Sequence, residues 1–269
     1  MSIFSYSFMQ RALVVAFFIS IILPLIGNVI VLKRLSNIGD TLSHSSLAGA
    51  MLGVCFGFNP LVGAILSCIF CAFLIEATRK FFLSYPEIST SIIMAFAVCI
   101  SALASGFIKN GASFNSFLFG SIVAISKSEV YLVIFLSLFV LLITMIFYKP
   151  LFHIVFSEES ANAAGIPTNV INFIFTLLAA ICIGISARIV GAFVVSSILI
   201  LPVTCAMQIS DSYKSNLLFS ILFALVSNIL GLILSYYLDL KPGGTIIFIA
   251  LAIFFVIVLG KSIFKGSRK

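Results

Sequence analysis

The sequence predicts an all-α, polytopic membrane protein with eight or nine spanning helices. Three observations carry this. Hydrophobic residues make up 62% of the chain and charged residues only 9%, against roughly 45–50% apolar and about 25% charged in soluble domains. Mean hydropathy is +1.30. The apolar residues also fall in runs of about the length needed to cross a bilayer, separated by short stretches holding charge, proline or glycine. In 269 residues the runs leave no room for a soluble catalytic domain of usual size, so the chemistry belongs in the membrane.

The first ten residues lack the basic start of a signal peptide, and Ala12 to Leu32 is 21 uncharged residues. This reads as a retained first span. Lys33-Arg34 and a short Leu-Ser-Asn-Ile link follow. From Thr41 to Ile75 there is no fully charged residue, and Phe58-Asn59-Pro60 divides this run into two spans, because proline lacks the backbone donor and restricts its predecessor. Ile88 to Ile108 is a fourth span. Ala112 to Ser126, rich in Ser, Asn and Gly, fits a re-entrant or interfacial piece. Val130 to Tyr148 is a fifth span, closed by Lys149-Pro150. Four more runs follow: Ile166 to Ala187, Ile189 to Ser210, Ser215 to Leu238 and Pro242 to Gly260. Arg188 stands alone between the first two, so that boundary is a bend or a full exit. The count is nine, or eight if one short run only dips in.

Odd parity places the termini on opposite faces. With the Lys33-Arg34 loop in the cytoplasm, Lys33, Arg34, Arg79, Lys80, Lys149, Lys214, Lys261, Lys265, Arg268 and Lys269 fall inside, and Arg11, Lys109, Lys127, Arg188 and Lys241 outside. The bias of short-loop Lys and Arg toward the cytoplasm therefore predicts N-terminus outside and C-terminus inside. The net charge of +7 comes from helix ends rather than a basic patch interleaved with aromatics, which argues against nucleic acid. The six cysteines lie at 55, 68, 71, 99, 182 and 205, each inside an apolar run. Cys68 and Cys71 have no second pair and no neighbouring His, so they read as packing residues rather than a zinc or redox site.

The most informative stretch is Gly39 to Gly53. Asp40 and His44 are four apart, so on a helix they stack on one face. A charged side chain in the bilayer costs roughly 2.5–3.5 kcal/mol on insertion scales, so such a pair faces a protein interior or a watery path. Ser45, Gly49, Gly53 and Gly57 form a small-residue stripe at spacing four that admits a close neighbouring helix. Carboxylate oxygen and imidazole nitrogen suit zinc and also manganese, while the Met and Cys clusters that select copper(I) are missing. Two ligands are too few for a closed structural site, and two copies of the helix across a dimer axis would supply four. The plainer reading has Asp40 capping the helix start and His44 as a satisfied core histidine.

Ser157 to Pro167 reads as a two-turn helix, with Ser157 as N-cap, Glu158 and Glu159 in the first turn, Gly165 just past the end and Pro167 beyond. It is equally an ordinary loop helix on these signals alone. Gly260-Lys261-Ser262 is not a phosphate-binding loop, since the first glycine of that motif would fall at Phe255. Any ATP is bound by a partner chain.

Four runs occur in the order found in one known family: Lys33 to Gly49, with its G-D-x-L-S-H core at 39–44; Phe117 to Ile122; Ala163-Ala164-Gly165-Ile166-Pro167; and Val190 to Pro202. The chain resembles the membrane permease of zinc and manganese ABC uptake transporters, the ABC-3 type, and is most similar to the zinc-uptake permease. The resemblance covers nearly the whole chain. It implies that residues 1–269 form one multi-pass permease domain in the bacterial inner membrane, working as a homodimer with a cytoplasmic ABC ATPase and an extracytoplasmic metal-binding protein. The transported ion would be Zn2+, or Mn2+, with no permanently bound cofactor, and the chain itself would not be an enzyme. Asp40 and His44 would line the ion path. The 157–167 segment would be the coupling helix, its contact with the ATPase drawn from Ser157, Glu158, Glu159, Ala161, Asn162, Ala164, Gly165, Ile166 and Pro167. Asn162 stands where many relatives place Arg. The fourth span, Met94-Ala95-Phe96-Ala97-Val98, lacks a His found in some zinc relatives, and Ser121 stands where they have Asp.

The main rival is an ion- or proton-coupled secondary transporter using Asp40 and His44 as a relay. It favours internal symmetry, and nothing in the second half repeats the Asp-His pair. A membrane enzyme wants clustered carboxylates or a nucleophile with its base, and the eight acids are scattered. A permease for a siderophore-sized chelate wants a wider, aromatic pocket than small Gly-Ser-Ala helix faces provide.

Overall fold

The computed structural model describes residues 6–82, 85–107, 118, 120 and 125–266, and all regular structure among them is helical. The elements are α1 (Ser7–Leu32), α2 (Asn37–Phe56), α3 (Pro60–Arg79), α4 (Pro86–Phe107), α5 (Lys127–Ile146), α6 (Tyr148–Phe156), α7 (Glu158–Ala163), α8 (Thr168–Val190), α9 (Ala192–Ile209), α10 (Tyr213–Leu238) and α11 (Pro242–Gly266). Of the stretch 112–126, expected to be re-entrant or interfacial, all but residues 118, 120, 125 and 126 lie outside the described residues.

Eight of these helices are long and apolar enough to cross a membrane. The exception among the long ones is α2, because serine, threonine, Asp40 and His44 dilute its hydropathy. Its packing makes it a ninth traverse among the described residues. It runs antiparallel to α3, with Leu42 beside Cys68 and Gly49 beside Gly63. It runs parallel to α4, with Thr41 bonded to the Thr90 carbonyl and Cys55 to that of Ala104. The close approach to α3 needs glycine: a Cβ on Gly49 would lie 2.2 Å from the Gly63 carbonyl oxygen. Gly53 faces Pro60 across the same contact. The stripe ends there. Gly57 caps α2 in the left-handed conformation with open space around it, because the helix stops at Phe56.

The basic residues Lys33, Arg34, Arg79, Lys80, Lys149 and Lys214 gather at one end of the bundle, beside the short helices α6 and α7. The opposite end holds Arg11, which donates to the Ile125 carbonyl, and Arg188, which pairs with Glu129. Between α8 and α9 the chain reverses at a single residue, Gly191, with φ 107° and ψ 144°, a conformation open to glycine and strained for other residues. The boundary after Arg188 is thus a full reversal. Helix α6 departs from the sequence reading, which runs the fifth span to Tyr148 and leaves His153 in a loop. Pro150 sits in the first turn of α6, where its missing donor costs nothing. The helix buries Leu151 and Ile154 and exposes Phe152, His153 and Phe156.

The centre of the bundle is α1, α8 and α9. A polar seam joins α1 to α10: Asn28 Nδ2 donates to Ser220 Oγ at 2.7 Å, Asn216 Nδ2 donates to Asn28 Oδ1 at 2.6 Å, and Asn228 Nδ2 donates to Ser20 Oγ. In an apolar surround such pairs fix register where greasy faces alone would slide.

Candidate functional site

A tight four-residue corner leads from α1 into α2. Lys33 caps α1, Arg34 takes φ 60°, and Leu35 N donates to the Ile30 carbonyl at 2.9 Å. Ser36 stands at the N-cap without a side-chain hydrogen bond. Asp40 falls in the first turn, where the helix dipole favours negative charge. His44 follows one turn on, about 6 Å along the axis. Both are half-buried while their neighbours Thr41, Leu42, Ser43, Ser45 and Ser46 are buried, Ser45 and Ser46 beyond His44 included. Thr41 Oγ1 and Ser45 Oγ are taken by backbone carbonyls, and Ser46 Oγ donates to Gly184 O of α8 at 3.3 Å. Ser43 Oγ is buried without a partner, and Asp40 and His44 together form the ionisable face of α2 that is left partly open.

Alongside it lies α9. Gly39 approaches Leu199, and the His44 ring meets Phe193 edge-on with centroids 6.2 Å apart. Neither Asp40 nor His44 has a hydrogen-bond partner among the described residues, so neither is the satisfied cap or core group of the plainer reading. Among the described residues no cluster of three or more His, Cys, Asp or Glu side chains forms. One chain thus offers a carboxylate and an imidazole, enough to hold a divalent ion with water or further ligands completing its shell. The fourth span presents no His beside them, and Ser121 lies outside the described residues.

At the basic end, Ser157 caps α7 by accepting from Ser160 N, and Gly165 takes φ 81°, as its place past a helix end requires. Glu159, Asn162, Ala164, Gly165 and Pro167 are exposed, Ile166 is half-buried, and Ala161 is buried. Glu158 turns inward to Lys33 and Asn172. Asn162 Oδ1 accepts from Thr168 Oγ1 at 2.7 Å, tying α7 to the start of α8. Sequence reasoning missed Phe193 beside His44, although it falls in the Val190 to Pro202 run. It also missed the inward role of Glu158 and the α1–α10 seam; the asparagines of the seam, lying singly in apolar runs, were the available signal.

The ABC 3 transport family matches residues 5–261. The chain belongs to that family. It is a multi-pass permease of the inner membrane, and ATP hydrolysis in these transporters belongs to a separate subunit. Over 255 residues it is 32% identical to a Treponema pallidum protein named "Probable metal transport system membrane protein", covering 94% of this chain and 95% of the relative. It is 29% identical to the manganese transport system membrane protein MntC of Halalkalibacterium halodurans, covering 93% and 86% of the two chains. Its fold is similar to that of a chain in the solved structure of PsaBC from Streptococcus pneumoniae in complex with Fab. There the TM-score is 0.83 at 25% identity, over 94% of this chain and 91% of the other.

Proposed function

We propose that this permease forms, as a homodimer, the translocation path of an ATP-driven importer for divalent metal ions, with Asp40 and His44 holding the ion in transit. The observation that carries the reading is the open Asp40–His44 face on the most polar long helix of an ABC 3 fold. A carboxylate and an imidazole left unpaired within a bundle are too costly to keep without a ligand to meet. Two half-sites facing each other give four protein donors, enough to replace an ion's water and few enough to release it.

The basic end, with α7, faces the cytoplasm in this reading, and the exposed residues of 157–167 dock on the ATPase. The opposite end receives metal from an extracytoplasmic binding protein. Closure of the ATPase moves α7 and opens the path inward. Zinc is the ion that the sequence resemblance implies, and manganese is the ion in the name of the Halalkalibacterium halodurans relative. The donor pair suits both. Protons compete with either ion, since only neutral imidazole coordinates.

The test is uptake of radioactive zinc and manganese into vesicles holding the permease, with and without the partner ATPase and ATP, in wild type and His44→Ala. Uptake that needs both ATP and His44 is expected, and the faster ion names the substrate. Uptake that ignores ATP and follows a proton gradient would overturn the reading in favour of a secondary transporter.

A further inference from the structure

Three side chains from three separate elements close a ring at the basic end of the bundle. Lys33 Nζ lies 3.2 Å from Glu158 Oε2 and donates to Asn172 Oδ1 at 2.6 Å. Asn172 Nδ2 in turn donates to Glu158 Oε1 at 2.6 Å. Lys33 ends α1, Glu158 opens α7, and Asn172 lies early in α8. The Lys33 side chain is only 9% exposed and Asn172 only 8%, while Glu158, at 39%, closes the ring from its solvent side, so two of the three members are sheltered enough for their bonds to matter.

The corner beyond Lys33 is packed rather than slack. Leu35 and Ile38 are buried, Leu35 N bonds back to Ile30 O, and Ile38 N bonds to Leu35 O. Packed and hydrogen-bonded residues thus connect Lys33 to the first turn of α2, where Asp40 sits. The ring borders an open cleft of about 900 Å³ that is also lined by Glu76, Arg79 and Lys80.

We propose that Lys33, Glu158 and Asn172 are positioning residues that link α7 to the helix carrying Asp40 and His44, so that motion of α7 resets the metal-holding face. The role in transport rests on the proposed importer function; the mechanical link does not. The ring also explains why Glu158 faces inward while its neighbour Glu159 is exposed. One acid of the pair is spent on the transmission and the other remains for a partner.

Asn172 makes the ring testable by inversion. Its amide both donates and accepts, so exchanging the charges at 33 and 158 requires only that the amide flip. In vesicles holding the permease with its ATPase, metal moved and ATP hydrolysed are measured together. Lys33→Gln and Asn172→Leu should lower metal moved per ATP at least fivefold while hydrolysis stays within twofold. Lys33→Glu combined with Glu158→Lys should recover at least half of the ratio that Lys33→Glu alone loses. An unchanged ratio in both single variants, or a swap no better than Lys33→Glu, overturns the proposal. Backbone hydrogen exchange in the permease alone tests the link without transport. Asn172→Leu should speed exchange across residues 34–40 at least threefold, and unchanged exchange there overturns the link. Absence of ATP-driven uptake by the wild type would remove the transport function instead, with the exchange result still deciding the link.

Discussion

Two of the polar groups within the bundle are handled in opposite ways. Along the α1–α10 seam, Ser20, Asn28, Asn216, Ser220 and Asn228 are buried and bonded to one another. On α2, Asp40 and His44 are half-buried and bonded to nothing among the described residues. The neutral groups could be satisfied within the chain and were; the two ionisable ones, costlier to insert, were left with capacity to spare. Polarity inside a membrane does not mark function by itself. An ionisable pair with bonding capacity to spare on one helix face is the stronger mark, since lone buried hydroxyls such as Ser43, Ser89 and Ser186 also go unpaired among the described residues.

The largest expected effect comes from the closed side of α2, which holds the open side in place. Gly49→Leu would drive a side chain into the Gly63 backbone, where even a Cβ would sit 2.2 Å from the carbonyl oxygen. Overpacking of this kind costs about 3 kcal/mol, and the variant should lose most of its folded yield by fluorescence-detected size exclusion. Asp40→Ala and His44→Ala should do the reverse. Neither removes a bond the fold uses, so yield and melting point should hold while ATP-driven uptake falls more than about tenfold, a barrier change of about 1.4 kcal/mol. Normal uptake by both would end the assignment of the open face.

Asn28→Leu sharpens the same contrast from the seam. It removes the acceptor of Asn216 Nδ2 and the donor to Ser220 Oγ. Stranding these buried groups should cost about 1–2 kcal/mol of stability, read as a lowered melting point in detergent. Uptake per folded molecule should be unchanged. If uptake fell with no loss of stability, the seam would belong to the moving parts and the division between bonded seam and open face would fail.

Composition and run length were enough to read the class and most spans, because hydropathy is a local property of each helix; α2, diluted by its polar residues, was set apart from α3 by Phe58-Asn59-Pro60. The open pair was legible too, since Asp40 and His44 share a face by spacing alone and the surrounding run carries the family resemblance. The reversal at Gly191 was half legible: the charge at Arg188 marked a boundary, and the glycine that turns the chain lay three residues further on. Partners were not legible. That Asn28 meets Ser220, or Lys33 meets Asn172, depends on which helices become neighbours, and no periodicity within one helix encodes that. Helix α6 was hidden by Pro150, which reads as a breaker until its place in a first turn is known.

Lys33 belongs to neither group, being ionisable, sheltered and bonded, and this gives the smallest effect. Burial pushes its ammonium below the ordinary lysine value of 10.5, with Glu158 pulling it partly back. Between the folded value and 10.5 the unfolded chain then binds more protons than the folded one, so this residue's share of stability rises with pH across that window. The melting-point difference between wild type and Lys33→Met should therefore grow with pH across that window. Titrations common to both proteins cancel in the difference. A difference that falls instead as pH climbs toward 10.5 would mean that Glu158 outweighs burial. Lys33 would then be held as a fixed ion pair, and its place would be with the seam, among the groups spent on structure.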